Sequence, residues 1–131
     1  MKIQQHEKEI DIENAIMEYL QRKSYLVLKL KRTGIYDPTK KIFRLDKNPL
    51  HKDSEGMADL LLFVTGYDRN YMTPTFSVKH PIPVFLEVKT KIGKQSTEQK
   101  KFQKRVTAEN CGYYIVRSIE DVEKILEELL K

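Results

Sequence analysis

The chain has no tryptophan, one cysteine, three histidines and no long apolar run. Each scarcity removes a class of protein. A single thiol, Cys111, cannot close an internal disulfide, so a reducing, cytoplasmic setting is expected. His6, His51 and His80 lack metal-ligand spacing to one another, which argues against a zinc site. A spanning helix needs about 20 apolar residues, and no stretch approaches that, so no membrane association is expected. The opening "MKIQQHEKEIDIENAI" also lacks the apolar centre of a secretion signal. Internal repeats and low-complexity linkers are missing too. Residues 1–131 therefore read as one domain, long enough for a core without staples.

What the chain does have is charge, unevenly placed. Charged residues make up 33% of it against 40% hydrophobic, with a net charge of +5. Eight basic residues fall between Lys29 and Lys52 (Lys29, Lys31, Arg32, Lys40, Lys41, Arg44, Lys47, Lys52), against two acids, Asp37 and Asp46. The last twelve residues reverse the balance, with five acids against two lysines. Such segregation fits one surface that meets a polyanion and another that does not. On charge alone, a generally basic globule explains it equally well.

Ile12, Ala15, Ile16, Tyr19 and Leu20 recur at helical spacing and predict an amphipathic helix over about 6–23. "YLVLKLKR" (25–32) alternates as a strand, and 35–55 reads as a basic loop around the short strand "KIFRL". "MADLLLFVTG" (57–66) is apolar enough to predict a strand buried on both faces. A turn-rich excursion, 66–81, precedes a second buried strand, "IPVFLEVKT" (82–90). A helix over 97–109, the strand "YYIVRS" (113–118) and a helix over 119–130 complete the order α-β-β-β-α-β-α. That order predicts an α/β fold with a mixed central sheet flanked by helices.

Two carboxylates sit awkwardly in this pattern. Residues two apart in a strand share a face, so Phe85, Glu87 and Lys89 line one side of a buried strand. Asp59 falls on the face of Leu61 and Phe63. Burying either acid unpaired costs several kcal/mol, and bringing the two together adds repulsion. Glu87 and Lys89 could form a plain surface pair. Alternatively, a divalent cation lies between the acids, and hard oxygen ligands of this kind suit Mg²⁺. Lys89 would then meet the attacking water or the scissile phosphate. Glu13, at the edge of the Ile12/Ile16/Leu20 stripe, either looks into this site or is a solvated helix carboxylate.

Taken in order, "EGMADLL", "VFLEVKT", "GKQSTEQKKFQ" and "CGYYIVRS" resemble the PD-(D/E)XK nuclease superfamily. Within it they look most like the VRR-NUC (virus-type replication–repair nuclease) branch, which is similar to Holliday-junction resolvases. The likeness runs from Glu13 to about Ser118 and implies a restriction-endonuclease-like fold. It implies metal ligation by Asp59, Glu87 and the carbonyl of Val88, with Glu13 as an accessory acid. It further implies Lys89 as the catalytic lysine and Gln99 as a supporting residue. Ala58 stands where the superfamily's eponymous proline would, and the 66–81 excursion lengthens the Asp59–Glu87 spacing.

Gln99 has a second reading, because Ser96-Thr97-Glu98-Gln99 fits a helix capping box. Gly56 reads as the pivot of a tight turn into the following strand. Lys100, Lys101, Lys104 and Arg105 form a basic helix face; with Lys91, Lys94 and Ser96 before them, they read as a phosphate track. Tyr113 and Tyr114 are expected as core and strand residues rather than base-stacking platforms, and Cys111 as an inert buried thiol. The expected activity is Mg²⁺-dependent hydrolysis of DNA, with Mn²⁺ as substitute, on branched structures and by a homodimer. A nuclease-like module that only binds nucleic acid and a restriction-type enzyme are the rivals.

Overall fold

The computed structural model describes residues 8–30, 35–44, 49–67 and 79–130. Helix α1 (Glu9–Arg22) leads into strand β1 (Leu26–Lys29), and a small ribbon of β2 (Ile35–Asp37) and β3 (Ile42–Arg44) follows. A 3₁₀ turn (Pro49–Ser54) precedes β4 (Leu60–Tyr67) and β5 (Lys79–Val88). Helix α2 (Thr97–Ala108), β6 (Gly112–Val116) and α3 (Ile119–Leu129) complete the chain. The main sheet runs β1-β4-β5-β6, antiparallel except for the parallel β5–β6 pair. The mixed sheet with three helices in the order α-β-β-β-α-β-α matches the architecture expected, with the β2–β3 ribbon set apart from it.

Side-chain parity divides this sheet. Ala58, Leu60, Leu62, Val64, Val84, Leu86 and Val88 are fully buried on one face. Ile12, Ile16 and Leu20 of α1, with Val122, Ile125 and Leu126 of α3, close over them. The odd-numbered positions face the other way. Leu61, Phe63 and Phe85 are only half-buried, so the strand over 57–66 is sealed on one face, not two. Helix α2 covers part of this second face through Phe102, which meets Phe85 edge-on at 5.2 Å and Tyr113 at 6.3 Å. The edge beyond α2 stays open: Leu26 is 58% and Leu28 43% exposed.

The helix ends follow their capping chemistry. Ser96 and Gln99 form a complete capping box on α2, and Ser118 Oγ accepts from the Asp121 N–H at the start of α3. After α2, Asn110 takes the left-handed conformation (φ 62°) that stops the helix. Strands β4 and β5 extend as a hairpin into both ends of the 66–81 excursion; its middle, 68–78, lies outside the described residues. So do His6, Lys31, Arg32 and Lys47, and the side chains of His51 and His80. No helix among the described residues is long and apolar enough to cross a membrane.

Candidate metal centre

The site forms where the N-terminus of β4, the C-terminus of β5 and the first turns of α1 meet. Asp59, just before β4, is fixed twice. Its carbonyl accepts from the Leu30 N–H (2.8 Å), and its Oδ2 accepts from the Val88 N–H (2.8 Å). Val88 thus holds Asp59 through its amide while lining the same small pocket, together with Glu9, Ile10 and Glu13.

Glu87 precedes Val88 at the end of β5 and is 1% exposed. Its Oε1 accepts from Gln99 Nε2 (2.6 Å) and lies 3.6 Å from Lys89 Nζ. Its Oε2 is buried with no hydrogen-bond donor among the described residues. A buried acceptor without a donor costs about 1–3 kcal/mol, and more if charged. Burial, reinforced by the negative charge of Asp59, pushes the Glu87 carboxyl up to about 8; Lys89 pulls it back and Glu9 adds to the rise.

The third acid is Glu9, which sequence reasoning missed. One carboxylate oxygen each from Glu9, Asp59 and Glu87 fall within 4.8 Å of one another. Glu13, the acid expected there, lies one helical turn further along α1. It lines the pocket at 3% exposure, and its Oε2 is 3.4 Å from Lys29 Nζ. The signal was available: Glu9 and Glu13 are four apart and share a helical face. An all-oxygen donor set, an orphaned buried carboxylate oxygen and mutual repulsion between the acids fit a hard divalent cation such as Mg²⁺.

Gln99 forms the capping box and also reaches Glu87, because its amide has two ends. Oε1 accepts from the Ser96 N–H (2.8 Å), completing the capping box, while Nε2 donates to Glu87. The cap therefore aims the amide at the carboxylate. Gly56 pivots the tight turn expected of it, closed by the Met57 N–H on the Ser54 carbonyl (3.2 Å), and it also supports this arrangement. It is in the left-handed conformation (φ 68°), and a Cβ there would lie 2.2 Å from the Glu98 carbonyl oxygen and 2.6 Å from the Gln99 nitrogen. The first turn of α2 packs on the bare backbone of Gly56.

The expected phosphate track is thinner than the sequence suggested. Lys91, Lys94, Lys100, Lys101 and Lys104 are exposed. Arg105 is engaged instead with Asp53 of the 3₁₀ turn (2.6 Å). The Ser96 hydroxyl oxygen and N–H are taken up by the capping box. Tyr113 packs on Phe102 and accepts from Gln95 Nε2 (3.0 Å); burial pushes its hydroxyl up to about 12. Cys111, between α2 and β6, is partly exposed rather than buried. Compared with protein-family models, curated proteins and solved structures, the chain finds no match.

Proposed function

We propose that this chain is a divalent-metal-dependent nuclease that hydrolyses phosphodiester bonds in DNA, of the VRR-NUC branch of the PD-(D/E)XK superfamily. The observation that carries this reading is the Glu9–Asp59–Glu87 cluster with its orphaned Glu87 oxygen, and Lys89 Nζ 3.6 Å from Glu87. Glu9, Asp59 and Glu87 would hold the cation, with Glu13 behind them. A bound Mg²⁺ or Mn²⁺ supplies an activated water and neutralises phosphate charge. Gln99 fixes the Glu87 carboxylate. Lys89 orients the incoming water and stabilises the charge that develops on the phosphate. The exposed lysines of α2 and of the 91–94 segment hold the backbone without reading bases.

Branched DNA is the substrate class proposed, cut by a two-fold homodimer. One site cuts one strand, whereas a junction needs paired cuts, and closed two-fold dimers are the commonest oligomers. In favour of a dimer, the open sheet edge exposes Leu26 and Leu28 beside a groove of about 480 Å³ lined by Tyr25, Phe63, Pro81 and Leu130. Light scattering at micromolar concentration tests this point, since a mass near 15.5 kDa would exclude the dimer.

Cleavage of linear, flapped, splayed and four-way DNAs, with Mg²⁺, Mn²⁺ or chelator, tests the activity. Cutting is expected only with a divalent metal. Asp59→Ala and Glu87→Ala should abolish it, while Lys89→Ala should lose activity and keep cation binding. An Asp59→Ala protein that cuts at the wild-type rate refutes the site.

A further inference from the structure

The segment between Lys89 and α2 is short, cationic and pinned. The Gly93 N–H donates to the Thr90 carbonyl (3.1 Å), closing a turn over Thr90-Lys91-Ile92-Gly93. Arg117, just beyond β6, donates from Nη1 to both end carbonyls, that of Thr90 and that of Gly93 (2.9 Å). Arg117 is anchored in turn, its N–H donating to Asp121 Oδ2 (2.8 Å). The turn also rests on the catalytic candidate itself. A Cβ at Gly93 would lie 3.2 Å from Thr90 Oγ1 and 3.4 Å from Lys89 Cδ.

At the tip stands Ile92, 76% exposed, between the exposed Lys91 and Lys94. The third position of such a turn favours small or polar residues. A lone exposed apolar residue is ordinary on a protein surface and carries nothing alone. This one is held on a turn clamped at both end carbonyls, flanked by two ammonium groups and packed against the stem of Lys89. A wedge has to be rigid, apolar at its point and flanked by groups able to hold phosphates. The turn has the clamp, the apolar tip and an exposed lysine to either side.

We propose that Ile92 is an apolar wedge that enters the base stack beside the phosphate that Lys89 meets, and so favours DNA whose stack is already broken. Entering a branch point or flap costs less than parting a continuous duplex, which converts an apolar tip into a preference for structure. The proposal rests on the nuclease reading for its substrate but not for its measurement.

The test uses the full chain carrying Asp59→Asn, bound to DNA with 2-aminopurine at the branch of a splayed duplex or the middle of a continuous one. Anisotropy reports binding, and 2-aminopurine fluorescence reports unstacking. With Ile92 present, saturation should raise fluorescence at the branch. Ile92→Ser should lose that rise while the salt slope of binding stays unchanged, and Ile92→Leu should restore it. An equal rise with Ile92→Ser at matched saturation overturns the wedge. A change in the mass of the free Ile92→Ser protein by light scattering also overturns it, assigning the residue to a contact between chains. If the wild-type chain cuts no DNA but the Ile92-dependent rise is present, the nuclease reading falls and the wedge stands; if no DNA is bound, both fall.

Discussion

The two faces of the main sheet are made by the same strands and differ in almost everything else. On the even-numbered face, Leu60, Leu62, Val64, Val84 and Leu86 are fully buried beneath α1 and α3, with apolar contacts throughout. On the odd-numbered face, α2 covers only part of the sheet, Leu61, Phe63 and Phe85 are half-buried, and Glu87 and Lys89 continue the row. Stability is concentrated on the closed face. The proposed chemistry belongs to the open side: Glu87 and Lys89 lie on the half-covered face, and Glu9 joins the acids from the start of α1.

The largest expected effect would break this contrast directly. Leu62→Ala removes a fully buried side chain from the closed face and should cost about 2–5 kcal/mol. Leu61→Ala, one residue away on the half-buried face, should cost less than about half as much. Equal losses in denaturant unfolding would mean that the faces do not differ energetically.

A second variant sharpens the contrast by moving the site without touching it. Gly56→Ala meets both a left-handed backbone and the first turn of α2. It should cost more than about 1 kcal/mol, and its loss of cleavage should exceed that of other variants of equal stability, because the Gln99 amide is displaced from Glu87. Cleavage that merely tracks stability would reduce Gly56 to a turn residue.

Glu87 sets a pH-dependent difference between the faces. Its folded pKa, about 8, lies above the ordinary value of 4.5, so between these pH values the folded chain holds a proton that the unfolded chain releases. Stability of the metal-free protein should therefore fall as pH rises through that window, with at most one proton's worth of slope. Glu87→Gln should flatten this part of the melting profile, and divalent cation affinity should rise over the same pH range as the proton is displaced. An unchanged slope in Glu87→Gln would move the effect elsewhere.

The smallest structural effect belongs to the exposed lysines. Replacing Lys100, Lys101 and Lys104 by alanine should leave stability within about 0.5 kcal/mol. Each lost phosphate contact should reduce the log–log salt slope of duplex binding by about 0.9. An unchanged slope would shift the contact surface to the basic 29–52 segment.

Local features were legible in the sequence, and long-range ones were not. Helical spacing of Ile12, Ile16 and Leu20 found α1 within a few residues, and the Ser96–Gln99 pattern marked the start of α2. The apolar run over 57–66 misled, because composition cannot distinguish a strand covered on both faces from one half-covered on the second. Glu9 was missed because an acid at a helix N-terminus is already explained by the helix dipole. The approach of α1 to Asp59 and Glu87 is what brings it into their cluster. Arg105 was counted into a basic face because its partner, Asp53, is 52 residues distant. The contact of Gly56 with Glu98 and Gln99 is hidden in the same way.

The helices that seal the closed face stand at opposite ends of the described chain, Glu9–Arg22 and Ile119–Leu129, and they touch each other. Nearly all the described chain forms the loop between them, and the β1–β4 pairing adds another distant contact. Closing such loops before their contacts form slows the search for the native state, so the fold should assemble more slowly than a helical bundle of equal length. During synthesis, the face beneath α1 cannot be sealed until α3 has left the ribosome. In that interval Leu60, Leu62 and Val64 form an apolar surface available to chaperones, which makes α3 the element on which the yield of folded protein depends.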